Sequence, residues 1–82
     1  MRVDTQIARV HSRTMVANTI RRLRRERGYT QAALAAICGV SVSTVHKWES
    51  GRCMPTTESL RALSACFSVS LDYLMSHTPE VP

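Results

Sequence analysis

Arginine, lysine and short hydroxyl side chains supply most of the chemistry in this sequence. Eight arginines lie between residues 1 and 27 (2, 9, 13, 21, 22, 24, 25 and 27) against Asp4 and Glu26, a local charge of +6. Residues 28–82 carry Lys47, Arg52 and Arg61 against Glu49, Glu58, Asp72 and Glu80, which gives −1 and brings the chain to +5. A cationic surface of this kind implies an anionic partner, with nucleic acid the leading candidate. Alone, the cluster reads equally well as the solvated face of a helix. Catalysis has little to work with: no paired carboxylates, no nucleophile–His–Asp set and no phosphate-cradling glycine loop can be assembled. Three cysteines, an odd number with no CxxC, argue against a disulfide framework and against a zinc site. The composition therefore points away from an enzyme and implies no metal or cofactor.

The elements that must position these groups centre on residues 31–50, QAALAAICGVSVSTVHKWES. Leu34 and Cys38, then Val45 and Trp48, recur at helical spacing, so two short helices each have one apolar stripe. Ala35 is small where a larger side chain would hold the second helix away. Gly39 follows the last periodic residue of the first helix, where a left-handed cap is usual. Ser41 offers a hydroxyl N-cap to a second helix of roughly 42–50, which Gly51 closes. A small residue, a glycine turn, a cap and no internal proline are the signature of a DNA-binding helix-turn-helix. Trp48 shares the face of Val45 and is therefore core, not a base-stacking platform.

The remaining chain supplies three more helices. Before residue 14, Val3, Ile7 and Val10 fit either a short amphipathic helix starting near Asp4 or a basic flexible arm. A helix from about Thr14 to Arg27 turns Val16, Ile20 and Leu23 inward and Arg21, Arg22 and Arg25 outward, and stops at Gly28. Thr30 is a natural N-cap ahead of Gln31. Residues 51–55, GRCMP, form a loop, and Thr56 or Thr57 caps a helix that buries Leu60, Leu63 and Phe67, flanked by Ala62 and Cys66. After a break at 68–70, Ser70 caps a last short helix containing Leu71, Tyr73 and Leu74. The expectation is an all-α, compact five-helix domain at 14–75, with an N-terminal extension at 1–13 and a disordered tail at 76–82. No apolar run approaches the ~20 residues that span a bilayer, and no signal peptide is visible, so a cytoplasmic location is expected.

The strings IRRLRRERGYTQ, LA and CGVS, STVHKWESGRCMP and ESLRALSACFSVSLDYL closely resemble the Cro/CI-type (XRE-like) repressor domains of phages and bacterial regulators. The likeness spans about residues 16–75. It implies a repressor-like domain that binds double-stranded operator DNA as a homodimer built from its fourth and fifth helices. It also implies that Gln31 and its neighbours touch phosphate while the third helix lies in the major groove. Arg24 and Glu49 match positions that form a largely buried ion pair beneath that helix. Two departures stand out. Ile37 replaces a usual polar residue and, with Ala33 and Ala36, gives an apolar outer edge; Val42 replaces a polar residue at the start of the recognition helix.

Within this frame the expected base readers are Val42, Ser43 and Lys47, with His46 secondary, and the expected phosphate ligands are Gln31, Thr44 and Arg52, with Arg13 and Arg21 as further candidates. For Ser43 and Thr44, plain helix surface or local capping stays open. A DNA-binding antitoxin or a protein-interaction module on the same fold is the alternative, and Cys53, in an exposed loop, raises thiol sensing as another. No membrane partner or small-molecule ligand is evident.

Overall fold

The computed structural model describes the backbone of residues 2–76 and the side chains of residues 13–75. Its helices are α1 (Arg2–Glu26), α2 (Gln31–Cys38), α3 (Val42–Glu49), α4 (Thr57–Phe67) and α5 (Leu71–Ser76), with no strand among the described residues. The expected tail falls mostly at 77–82, outside the described residues.

α1 begins earlier than its expected start near Thr14. The stretch that the sequence left open between arm and helix is continuous with it. The cause is local: residues 1–27 contain neither glycine nor proline, and nothing at Arg13–Thr14 stops propagation. At 1.5 Å per residue, the 25 residues of α1 run about 37 Å, nearly the full 40 Å length of the molecule.

Helix starts and stops follow the capping chemistry of the sequence. The hydroxyls of Thr30, Ser41 and Thr56 accept the backbone N–H groups of Ala33, Thr44 and Ser59. Gly39 takes φ +72°, and its N–H and that of Val40 close onto the carbonyls of Ala36 and Ala35. An L-residue strains in that conformation, so the turn between α2 and α3 needs glycine. α4 ends differently. Ser68 occupies the left-handed region at φ 56°, while the Ser64 hydroxyl donates to the Val69 carbonyl at 2.5 Å.

One core joins the five helices. Val16, Ile20 and Leu23 of α1, Leu34 and Ala35 of α2, Val45 and Trp48 of α3, Leu63 and Phe67 of α4, and Leu74 of α5 are all buried. α1 packs across α3 and α5, α2 packs on α3 and α4, and α4 packs on α5. Cys38, Leu60, Cys66 and Tyr73 are half-buried against this cluster, whereas Leu71, placed in the last helix by its pattern, is exposed.

Candidate nucleic-acid interface

Burial divides α3 into two faces. Val45, Trp48 and Glu49 are buried, while Val42, Ser43, His46 and Lys47 are exposed. All four expected base readers therefore share the outer face of one eight-residue helix. Val42 keeps 46% of its surface exposed. Thr44 differs from them. It is half-buried, its hydroxyl lies 3.0 Å from that of Ser41, and its N–H is held by the same cap. That placement favours the capping reading for Thr44.

The inner side of α3 is anchored to α1. The Glu49 carboxylate, 4% exposed, accepts Arg24 Nε at 2.6 Å and Arg24 Nη2 at 3.0 Å. Gln31 Nε2 donates to the same carboxylate at 3.1 Å, and Arg24 Nη1 donates to the Tyr29 carbonyl at 2.8 Å. The Arg24 guanidinium is pushed above its ordinary pKa, first by its hydrogen bonds to Glu49 and against the opposing effect of burial. One carboxylate thus ties α1, the start of α2 and the end of α3.

Arg21 and Arg13, expected as phosphate candidates, reach the same region. Arg21 Nη1 donates to the Glu49 carbonyl at 3.1 Å and Arg13 Nε to the Gly51 carbonyl at 3.2 Å. Cations at a helix C-terminus complement its dipole and its unpaired carbonyls. Arg21 was expected to face outward like Arg22 and Arg25; it turns toward α3 instead.

Two further arginines, Arg22 near the end of α1 and Arg27 just past it, reach α5 and α4. Arg27 donates to the Phe67 carbonyl and lies 5.9 Å from that ring, and Arg22 pairs with Glu26 and donates to the Tyr73 hydroxyl. No sequence signal separated these roles from surface charge, because an arginine facing water, phosphate or a carbonyl has the same spacing.

At the start of α2 the Gln31 amide is turned to Glu49, so the group left for an anion is the backbone. Thr30 caps Ala33, and the N–H groups of Gln31 and Ala32 have no partner within the helix. Arg52 is exposed just beyond α3, its N–H closing onto the Lys47 carbonyl at 3.0 Å. Beside α3, a cleft of about 430 Å³ is lined by Cys38, Thr44, Trp48, Cys53 and Met54, among others. Burial pushes the Cys38 thiol up, with Cys66 adding to it. No group of three His, Cys, Asp or Glu among the described residues could hold a metal ion, and no described helix is long and apolar enough to cross a membrane.

A sequence model of the helix-turn-helix family HTH_3 matches residues 20–74, which contain this arrangement from Arg21 to Leu74. The chain belongs to the HTH_3 helix-turn-helix family. Its relatives include the HTH-type transcriptional activator BcrR of Enterococcus faecalis, 42% identical over 57 residues, which are 70% of this chain and 28% of that protein. A second is the HTH-type transcriptional regulator PrpR of Mycobacterium tuberculosis, 40% identical over 70 residues, or 85% of this chain and 14% of the relative. The HTH_3 chain thus spans less than a third of either curated relative. Among solved structures, the P22 c2 repressor in complex with a synthetic operator superposes with a TM-score of 0.75 at 34% identity, covering 78% of this chain and 97% of that one. The five-helix HTH_3 architecture is thus shared with the DNA-binding domain of that repressor.

Proposed function

We propose that the chain is a sequence-specific, double-stranded DNA-binding transcriptional regulator, acting in the cytoplasm as a repressor and as a homodimer. One observation carries the reading: α3 is anchored from behind through Glu49, while Val42, Ser43, His46 and Lys47 stand together on its open face. An eight-residue helix so presented fits the major groove. Val42 packs on a thymine methyl, Ser43 donates or accepts with little selectivity, and Lys47 reaches guanine O6 and N7, with His46 beside it. Phosphate is held by the Gln31 N–H and by Arg52. Arg13, Arg21 and Thr44 can hold it only while sharing the internal bonds already described.

The dimer is assigned to the α4–α5 end, where Leu71 and Met75 are exposed one turn apart. Two copies of α3 would then read half-sites about 34 Å apart. A protein-interaction role, including that of a DNA-binding antitoxin, draws on Ile37, 48% exposed at the end of α2 with Ala36 beside it. Repression is supported by the P22 c2 likeness, and an activator among the relatives shows that the fold serves both signs.

Selection of duplexes from a random pool tests the reading. Lys47→Ala should cost about 1–3 kcal/mol on the selected site and relax choice at the guanine. Arg52→Ala should weaken all sequences equally and lower the salt slope by about one. Equal weakening of specific and random DNA by Lys47→Ala would remove Lys47 from the readers.

A further inference from the structure

The extension of α1 ahead of the family match carries its own pattern. α1 is helical from Arg2, eighteen residues before the first residue of the match. At about 100° per residue, the seven-residue step from Arg2 to Arg9 returns to within about 20°, and the four-residue step from Arg9 to Arg13 to within about 40°. The three arginine positions therefore lie on one line along the helix, and Asp4 falls about 160° from it. Arg13 shows where that line leads. Its guanidinium reaches the Gly51 carbonyl, just past the C-terminal end of α3. Positions 9 and 2 continue the line about 6 Å and about 16 Å further along the axis.

We propose that this N-terminal stretch of α1 is a second DNA-binding element, an arginine line that runs along the phosphate backbone beside the segment read by α3. The assignment rests on the DNA-binding reading above and adds to it a site outside the helix-turn-helix. Charge complementarity names the partner: residues 2–13 hold three arginines against one aspartate. An element of this kind contributes affinity and salt dependence without base choice. The same stretch also places Val3, Ile7 and Val10 within about 60° of one another, roughly a third of a turn from the arginines. A second copy of this chain, pairing along those three positions, is the alternative occupant that the experiment separates.

The experiment compares the full chain with Arg2→Ala/Arg9→Ala and with Arg2→Lys/Arg9→Lys on one long duplex containing the selected site. Each neutralised phosphate contributes about 0.9 to the salt slope, so the alanine pair should lower it by about 1.8. Between about 50 and 200 mM salt, the unaltered chain should then lose about tenfold more affinity than the alanine variant. Preference among bases should not change, the lysine pair should restore the slope, and helix content by circular dichroism should hold. Selective binding with an unchanged slope overturns the proposal and leaves the DNA-binding reading standing. The same holds if the slope is unchanged while Ile7→Asn weakens self-association in sedimentation, which makes the extension a protein interface. Failure of the unaltered chain to bind any duplex overturns both readings.

Discussion

Removing Arg24 is the sharpest test of how α3 is held. Glu49 is 4% exposed and its carboxylate takes two bonds from Arg24, at 2.6 and 3.0 Å, and one from Gln31 at 3.1 Å. Arg24→Ala leaves the neutral Gln31 amide as the only one of these donors. Two charge-assisted hydrogen bonds at about 1.5–3 kcal/mol each give about 3–6 kcal/mol. Stripping one partner from a buried ion pair gives about 3–5 kcal/mol by an independent route. The overlap sets the expectation at about 3–5 kcal/mol. A domain of this size is stable by only about 4–12 kcal/mol, so the variant should sit near the edge of folding.

Urea unfolding followed by Trp48 fluorescence measures this directly, because Trp48 is the only tryptophan and is buried in the core. Arg25→Ala, at an exposed position on the same helix, is the control and should stay within about 0.5 kcal/mol. Arg24→Met with Glu49→Leu removes both charges together and should recover most of the loss, since the penalty lies in the orphaned carboxylate more than in the lost attraction. A loss below about 1 kcal/mol for Arg24→Ala, with an unchanged slope against urea, would refute this reasoning.

Two further outcomes follow from strain and titration. Ser68 holds φ 56° at the end of α4, so Ser68→Gly should raise stability by about 0.5–1 kcal/mol in the same urea assay. Cys38, whose thiol is raised by burial, should react slowly with an aromatic disulfide reagent, while exposed Cys53 reacts at once. A raised thiol keeps its proton longer in the folded state than in the unfolded one. Its contribution is therefore complete below the unfolded pKa of about 8.5 and is lost as pH rises through the folded value. Urea midpoints between about pH 8 and 10 should accordingly fall more steeply for the unaltered chain than for Cys38→Ala.

What the sequence reveals and what it hides follows the range of the forces involved. The α2–α3 turn was legible because its determinants are local: Gly39 needs its left-handed φ, Ser41 caps within three residues, and Val45 and Trp48 repeat at helical period. The Thr30 and Thr56 caps are of the same kind. The start of α1 was not legible, because a chain without Gly or Pro has no sign that separates an arm from one more turn of helix. Ser68 was missed because serine carries no signal for positive φ, unlike glycine. Arg21, Arg22 and Arg27 were hidden for a different reason. Their partners, the Glu49 carbonyl, the Tyr73 hydroxyl and the Phe67 carbonyl, lie 28 to 51 residues away. Periodicity reports which side of a helix a residue occupies, not what it meets there.

That last point changes how the +6 of residues 1–27 should be counted, and it gives a number to measure. If all eight arginines there, with Arg52, met phosphate, the salt slope would approach about −8 per protomer. Five of those eight, however, are bonded within the fold: Arg13 to Gly51, Arg21 to Glu49, Arg22 to Tyr73 and Glu26, Arg24 to Glu49, and Arg27 to Phe67. Breaking those bonds to reach DNA would release the C-terminal end of α3, the tie from Arg22 to α5 and that from Arg27 to α4, so binding should leave them in place. Among the described side chains, Arg25 and Arg52 are left for phosphate, and the proposed N-terminal line adds Arg2 and Arg9. These four cations set the expected slope at about −3.6 per protomer, and about −1.8 in the Arg2→Ala/Arg9→Ala variant. Fluorescence anisotropy of a labelled duplex, titrated at four or more salt concentrations, reads it. A slope near −8 per protomer would mean that the α1 arginines leave their internal partners for phosphate, and that the anchoring of α3 is remade on DNA.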